Sequence, residues 1–206
     1  MRTGLLVSTF TVMSCFFSTQ AKADPSEIYG ALTKQGMAIL ADKDDGTAFP
    51  KFINAFVIVR PHPDPTIEKF IRAAEKGDLQ AFAAIGFYVY LGDPGFRQDT
   101  LSGKFAMMRV DARGNPAGAY FMGRSFFVHE SQNKEDRLDN FVSGIQWLGK
   151  STAMGEPRAY TLAMRLIDES KLAGEPRQQM IALFNQAMEN GKKGQVVPSG
   201  KHDQSH

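Results

Sequence analysis

The feature that most constrains this chain is a glycine-led block of thirteen residues that occurs three times. The blocks begin at Gly77 (GDLQAFAAIGFYV), Gly114 (GNPAGAYFMGRSF) and Gly155 (GEPRAYTLAMRLI), so their starts lie 37 and 41 residues apart. In each block the fourth, eighth and twelfth residues after the glycine are small or apolar, and this spacing places them on one stripe of a helix. These residues are Ala81, Ile85 and Val89, then Gly118, Met122 and Phe126, then Ala159, Ala163 and Ile167. A period of this length is typical of helical-repeat architectures.

A second helix is predicted before each glycine. Seven residues upstream stand Phe70, Met107, Leu148 and, before a fourth glycine at Gly191, Phe184. A glycine that follows a helix favours the left-handed conformation at the helix end. Asp78 and Asn115 are then in position to cap the next helix. The longer second spacing is explained by a polar insertion at 129–137 (HESQNKEDR), which we interpret as a loop between paired helices.

The motif Gly-Asp-x-x-Ala-x-x-x-Ile-Gly at Gly77, the preceding FIRAAEK and the later WLGKSTAMG (147–155) resemble the Sel-one-like repeat family, a relative of the tetratricopeptide repeats. The resemblance spans 65–191. It is weaker where Gly118 replaces the usual alanine and where Met164 occupies a position expected to be small. It implies an all-α fold, a right-handed α-solenoid of antiparallel helix pairs with about three repeats, in an exported bacterial protein.

Two flanks lie outside the predicted repeats. Residues 24–64 are interpreted as an N-terminal cap region, because terminal repeats must present a different outer face. They contain a predicted helix over 25–41, a loop over 42–51, and a proline-rich turn after which Pro65 or Thr66 starts the next helix. Periodicity does not decide whether 49–59 is strand or helix. The polar tail 192–206 is predicted to be disordered.

The N-terminus predicts export. Arg2, an apolar run over 4–17 and the small residues Ala21 and Ala23 indicate a signal peptide (1–23) cleaved after Ala23, and the run is too short to span a membrane. The alternative, a lipid anchor at Cys15, fits less well because Met13 suits a lipoprotein site poorly. We therefore predict a periplasmic or secreted protein without disulfides, since Cys15 is the only cysteine and is removed.

Charge and motifs exclude several functions. The chain has 24 basic and 22 acidic residues, and cleavage removes Arg2 and Lys22, so the mature charge is balanced and nucleic-acid binding is not expected. No nucleophile elbow, phosphate loop or dinucleotide fingerprint is present in the sequence, and DKDDGT (42–47) fails the calcium-loop pattern at its fifth and twelfth positions. We therefore predict no enzyme activity, no catalytic residues, no cofactor and no metal. The alternative is a cell-envelope enzyme or enzyme accessory acting on the cell wall, with His129 and Glu130 over a cleft.

The candidate binding surface is a second stripe on the same three helices. It is rich in aromatic and arginine side chains, which are enriched at interface hot spots. We predict that its residues contact a partner protein: Phe87, Tyr90, Tyr120, Arg124, Phe127, Arg158 and Arg165. The alternative is that the aromatic residues, Phe87 and Phe127 above all, pack as core between adjacent helices.

The resemblance implies what such a surface does. In related folds the first helix of each pair lines the concave binding face. Exported relatives act as adaptors in envelope or virulence-related assemblies, or as immunity proteins that neutralise a secreted antibacterial toxin. The expected function is therefore a non-enzymatic protein-interaction scaffold.

Gly86 lies inside an apolar helix, where a glycine costs about 1 kcal/mol relative to alanine. Gly123 occupies the same position of the next block. We predict that both permit close approach of a neighbouring helix backbone.

Overall fold

The computed structural model describes residues 25–128 and 134–194, and within them the fold is all-α. The helices of this part are α1 (Pro25–Ala41), α2 (Asp45–Phe56), α3 (Pro65–Glu75), α4 (Leu79–Leu91), α5 (Thr100–Ala112), α6 (Pro116–Ser125), α7 (Lys134–Ala153), α8 (Pro157–Glu169) and α9 (Glu175–Lys192). The predicted helical fold class is confirmed, as are the bounds of α1 and the start of α3. The predicted signal peptide, His129, Glu130 and the end of the tail lie outside the described residues.

The glycine-led boundaries have the predicted local structure. Gly77, Gly114 and Gly155 have φ values of 90°, 74° and 96°, the left-handed region that other residues rarely adopt. The Asp78 carboxylate accepts the Ala81 N–H at 2.9 Å and so caps α4. The Asn115 side chain caps α6 in the same way.

Two of the sequence-based boundaries in the second half of the chain are wrong. Gly191 does not end its helix, because α9 continues to Lys192 and the left-handed glycine is Gly194, at φ 70°. A Cβ at Gly191 would lie 2.9 Å from the Ala153 Cβ, so close contact with α7 explains this glycine. The loop expected over 129–137 is also too long, since α7 begins at Lys134.

The loop expected over 42–51 is mostly helix, because α2 begins at Asp45 and contains Pro50. Proline removes a backbone donor, but here the lost bond would reach Gly46 at the very start of α2, where the disruption is small. Burial of four α2 side chains offsets it: Phe49, Phe52, Ile53 and Phe56. Phe49 stacks on Phe82 of α4 with 3.7 Å between ring centroids. The 49–59 segment is therefore helix up to Phe56, followed by a single antiparallel β-bridge between Val57 and Phe96.

Successive helices pack antiparallel where the contacts define direction. Along α4, Tyr90 lies against Gly103 of α5, whereas Gly86 lies against Gly103, Ala106 and Met107. A Cβ on Gly86 would lie 2.9 Å from the Ala106 Cβ and 3.1 Å from the Gly103 carbonyl oxygen. This confirms the predicted close approach.

The next helix pair repeats this contact. A Cβ on Gly123 of α6 would lie 2.8 Å from Leu148 Cγ and 3.1 Å from the Gly144 carbonyl oxygen of α7. Gly123 and Gly144 thus correspond to Gly86 and Gly103. In the third block Met164 occupies the position of Gly86 and Gly123, and there the contact between α8 and α9 is slight.

Helices that are two apart in the chain order run parallel, but which of them pack directly changes along the chain. Phe87 of α4 lies against Phe121 of α6, with ring centroids 5.4 Å apart, and Tyr90 further along α4 contacts Ser125 further along α6. At the next junction it is α7 and α9 that pack closely, with Gly149 against the Phe184 carbonyl oxygen. Direct packing between α6 and α8 is nearly absent. An open groove therefore separates α6 from α8.

Candidate binding surface

The predicted site residues come from α4, α6 and α8 and divide into a buried base and an exposed rim. Phe87 and Tyr90 of α4 are only 3% and 6% exposed. The Phe87 ring packs at a tilt against Phe121, and the Tyr90 hydroxyl donates a hydrogen bond to the Ser125 carbonyl at 3.1 Å. Burial raises the pKa of Tyr90 to about 12. For these two residues the core alternative holds, so they support the surface from below.

Arg124 lies over this aromatic base. Its guanidinium carbon is 4.7 Å from the Phe87 ring centroid and 5.7 Å from those of Tyr120 and Phe121. These distances place one cation over three aromatic rings, each an attractive cation–π contact. The side chain of Arg124 is partly buried. Arg124 is one of the residues predicted from the sequence, but the convergence of three rings beneath it depends on the packing of α4 against α6.

Arg158 is held in place by two neighbours. Its Nε and one terminal nitrogen donate to the two carboxylate oxygens of Glu156, each at 2.7 Å, a bidentate pair. Its guanidinium carbon lies 4.8 Å from the Tyr120 ring centroid. Hydrogen bonding from Arg158 lowers the pKa of Glu156, and the same bonds raise the pKa of Arg158. The charge of Arg158 is thus already matched.

The groove between α6 and α8 has a volume of about 340 Å³ and contains three of the predicted residues. Its lining is Tyr120, Pro157, Arg158, Thr161, Leu162 and Arg165. Arg165 is 64% exposed and pairs only loosely with Glu169, at 3.7 Å. The groove thus combines an apolar floor with a cationic edge.

Phe127 lies apart from the groove. Its ring packs edge-on against Phe141 of α7, with centroids 5.8 Å apart, and covers Gly144. Phe127 is partly buried, so for it too packing between helices is the dominant environment. The predicted surface is therefore narrowed to Tyr120, Arg124, Arg158 and Arg165.

Sequence reasoning missed Glu156 and Leu162. Glu156 is the N-cap of α8, where its carboxylate accepts the Arg158 N–H at 3.2 Å, and it is 8% exposed. The signal available was a carboxylate directly before Pro157, since proline is favoured at the first helical position. Leu162 falls between the two stripes, and only the separation of α6 from α8 exposes it to the groove.

A second groove, of about 330 Å³, lies between α1 and α5. Its lining is Met37, Leu40, Ala41, Phe105, Met108, Arg109 and Ala112. Arg109 donates to Asp45 at 2.9 Å and to the Leu40 carbonyl at 2.7 Å, which occupies its guanidinium. This groove therefore offers apolar surface without a charged group to select a ligand.

His62 has a structural environment. It is 7% exposed; its Nδ1 accepts the Asp64 N–H at 3.1 Å and its Nε2 lies 2.9 Å from the Pro94 carbonyl. Nδ1 thus stabilises the proline turn itself, and Nε2 joins this turn to the loop before α5. Among the described residues no cluster of three or more metal-ligating side chains is found. In the same part of the chain, no helix combines the length and apolar character that crossing a membrane requires.

Glu156→Ala is expected to lower the free energy of unfolding by about 1 kcal/mol at neutral pH, since it removes the α8 cap and the Arg158 partner. Because the pKa of Glu156 is below its ordinary value of 4.5, this stabilisation is present above that value and is lost as pH falls through the folded-state pKa. Urea unfolding across a pH series should show the difference from wild type shrinking at acid pH. A difference that stays constant would argue against the ion pair.

The fold and surface define a class: an all-helical protein with an arginine-edged groove between two helices. Comparisons with models of protein families, with curated proteins and with solved structures find no match. The resemblance to Sel-one-like repeats, and the functions that it implies, stay predictions based on the residues quoted above.

Proposed function

We propose that this protein is an exported, non-enzymatic scaffold that binds a partner protein in the groove between α6 and α8. The observation that carries the proposal is the groove itself. Tyr120, Arg158 and Arg165 line it, and Arg124 lies over the Tyr120 ring, which forms part of its apolar floor. Aromatic and arginine side chains around a concave apolar floor are the composition of interface hot spots.

The scaffold is proposed to be a right-handed α-solenoid of about three Sel-one-like repeats over 65–191, capped by residues 24–64. Support comes from the recurring left-handed glycines and from the repeated glycine contacts between α4 and α5 and between α6 and α7. The parallel packing of α4 with α6 and of α7 with α9 agrees with stacked helix pairs. Export is proposed from the signal-peptide pattern over 1–23 alone.

The test is capture of partners from a periplasmic extract by residues 24–206. Thr161→Trp fills the groove without changing charge, and Arg165→Ala removes a rim cation that is 64% exposed. The control is Arg72→Ala, which removes a 68% exposed arginine that pairs with Glu68 on α3. We expect the control to capture the same protein as wild type, and both groove variants to lose about tenfold or more in affinity.

Equal capture by all four proteins, with unchanged circular dichroism, would remove the groove from the proposal. The identity of the captured protein also separates the two roles that the resemblance implies. A toxin whose activity is neutralised would assign immunity, and an envelope component would assign an adaptor.

A further inference from the structure

Arg124 differs from the other arginines around the groove because it has no carboxylate partner within 25–128 and 134–194. Arg158 is paired with Glu156, and Arg165 with Glu169. Partly burying a cation removes water from it, and this cost is recovered only by new polar partners. The rings of Phe87, Tyr120 and Phe121 attract the guanidinium but do not accept its N–H groups in the ring plane. Arg124 therefore presents a positioned fork of donors.

The planar guanidinium matches a carboxylate geometrically, through two parallel N–H···O bonds. Arg165 is a second available cation, because its pair with Glu169 is exposed on both sides and such pairs contribute little. Arg158 is not available, since Glu156 satisfies it in a bidentate pair. Two cations can thus bind an acidic ligand: Arg165 in the lining of the groove and Arg124 over the Tyr120 ring beside it. Arg158 is already paired with Glu156.

Beside these cations the floor of the groove is apolar, formed by the Tyr120 ring, Pro157 and Leu162. A volume of about 340 Å³ lies at the small end of ligand pockets, suited to a side chain with its flanking backbone. The combination selects a chain in which apolar and acidic side chains are neighbours.

Resting on the proposed binding function, we propose that the partner inserts an acidic segment into this groove. One carboxylate pairs with Arg124, and an adjacent apolar side chain lies between Tyr120 and Leu162. An anionic membrane is disfavoured, because such surfaces are bound by clusters of roughly four to eight basic residues. Nucleic acid is disfavoured by the balanced charge of the mature chain.

The experiment selects peptides from a random dodecapeptide library on residues 24–206. Selected peptides are then labelled and titrated by fluorescence polarisation against wild type, Thr161→Trp, Arg124→Gln and the control Arg72→Gln. Each peptide is also made with its Asp and Glu residues replaced by Asn and Gln. Circular dichroism verifies that every variant is folded. Phosphatidylglycerol vesicles form a separate arm.

We expect the selected peptides to be enriched in Asp and Glu next to Leu or aromatic residues. Arg124→Gln should weaken the binding of these peptides about tenfold, whereas Arg72→Gln should leave their affinity unchanged. The amide versions should bind wild type about tenfold more weakly and lose nothing further on Arg124→Gln, because the same contact is already gone.

Three outcomes would overturn the inference. Peptides that Thr161→Trp blocks, but that lack acidic residues and ignore Arg124→Gln, would leave the proposed function standing without its acidic partner. If no selected peptide loses affinity on Thr161→Trp, both the proposed binding function of the groove and its acidic partner are contradicted. Vesicle binding that Arg124→Gln abolishes, without any acidic peptide, would assign Arg124 to a lipid surface.

Discussion

Lys150→Met is expected to lower the free energy of unfolding by about 3 kcal/mol, because it leaves a largely buried carboxylate without its cation. The Lys150 Nζ donates to Asp111 Oδ2 at 2.6 Å, and the two side chains are only 13% and 11% exposed. The other carboxylate oxygen of Asp111 is buried and has no hydrogen-bond partner in the part of the chain that the structure describes. Among the described residues, Lys150 is therefore the only cation that pairs with the Asp111 carboxylate. This ion pair joins α7 to α5.

Urea unfolding of three variants tests this expectation. Lys192→Met is the matched control. Lys192 pairs with Glu189 at 2.7 Å, close to the 2.6 Å between Lys150 and Asp111, but both side chains of the Lys192 pair are more than half exposed. Lys192→Met should lower the free energy of unfolding by no more than about 1 kcal/mol. Lys150→Met combined with Asp111→Leu should recover much of the loss, because no unpaired charge is then buried. Equal effects of Lys150→Met and Lys192→Met would refute the assignment.

Gly86→Leu is expected to destabilise the fold by about 1–3 kcal/mol through overpacking. The first added carbon would lie 2.9 Å from the Ala106 Cβ and 3.1 Å from the Gly103 carbonyl oxygen. The remaining carbons of leucine would have to displace Met107, which is fully buried. Because α4 and α5 meet backbone to backbone here, the strain is relieved only by separating the two helices.

The control for this change is Gly30→Leu. Gly30 also lies within a helix, but a Cβ there would meet nothing within 4 Å. Leucine at Gly30 should raise stability by about 0.5–1 kcal/mol, the difference in helix propensity. Thermal and urea unfolding of the two variants should therefore shift in opposite directions. A Gly86→Leu protein as stable as wild type would show that α4 and α5 do not approach as described.

Much of the fold was predictable because local chemistry repeats. The left-handed glycines, the Asp78 and Asn115 caps and the buried stripes of α4, α6 and α8 each follow from short-range rules. Of the predicted stripe residues, Phe126 is the one that is only partly buried. The failure at α2 has an equally physical cause. Pro50 is a helix breaker by local rules, but the aromatic side chains around it are buried against α4, and tertiary packing prevailed.

The site was predictable only in part. The spacing of residues identifies which side chains share a helix face, but not how closely neighbouring helices approach. Because α4 and α6 meet, Phe87 and Tyr90 became core. Because α6 and α8 do not pack against each other, Tyr120 and Leu162 line an open groove.

The sequence by itself determined most of the helices, the boundaries at Gly77, Gly114 and Gly155, and the face that carries aromatic and arginine residues. These depend on backbone conformation and on a periodicity that is written within each block. Only the tertiary structure decided which of those residues meet solvent, and that Arg124 has no carboxylate partner among the described residues. Such outcomes depend on distances between helices, which are determined by side chains far apart in the chain.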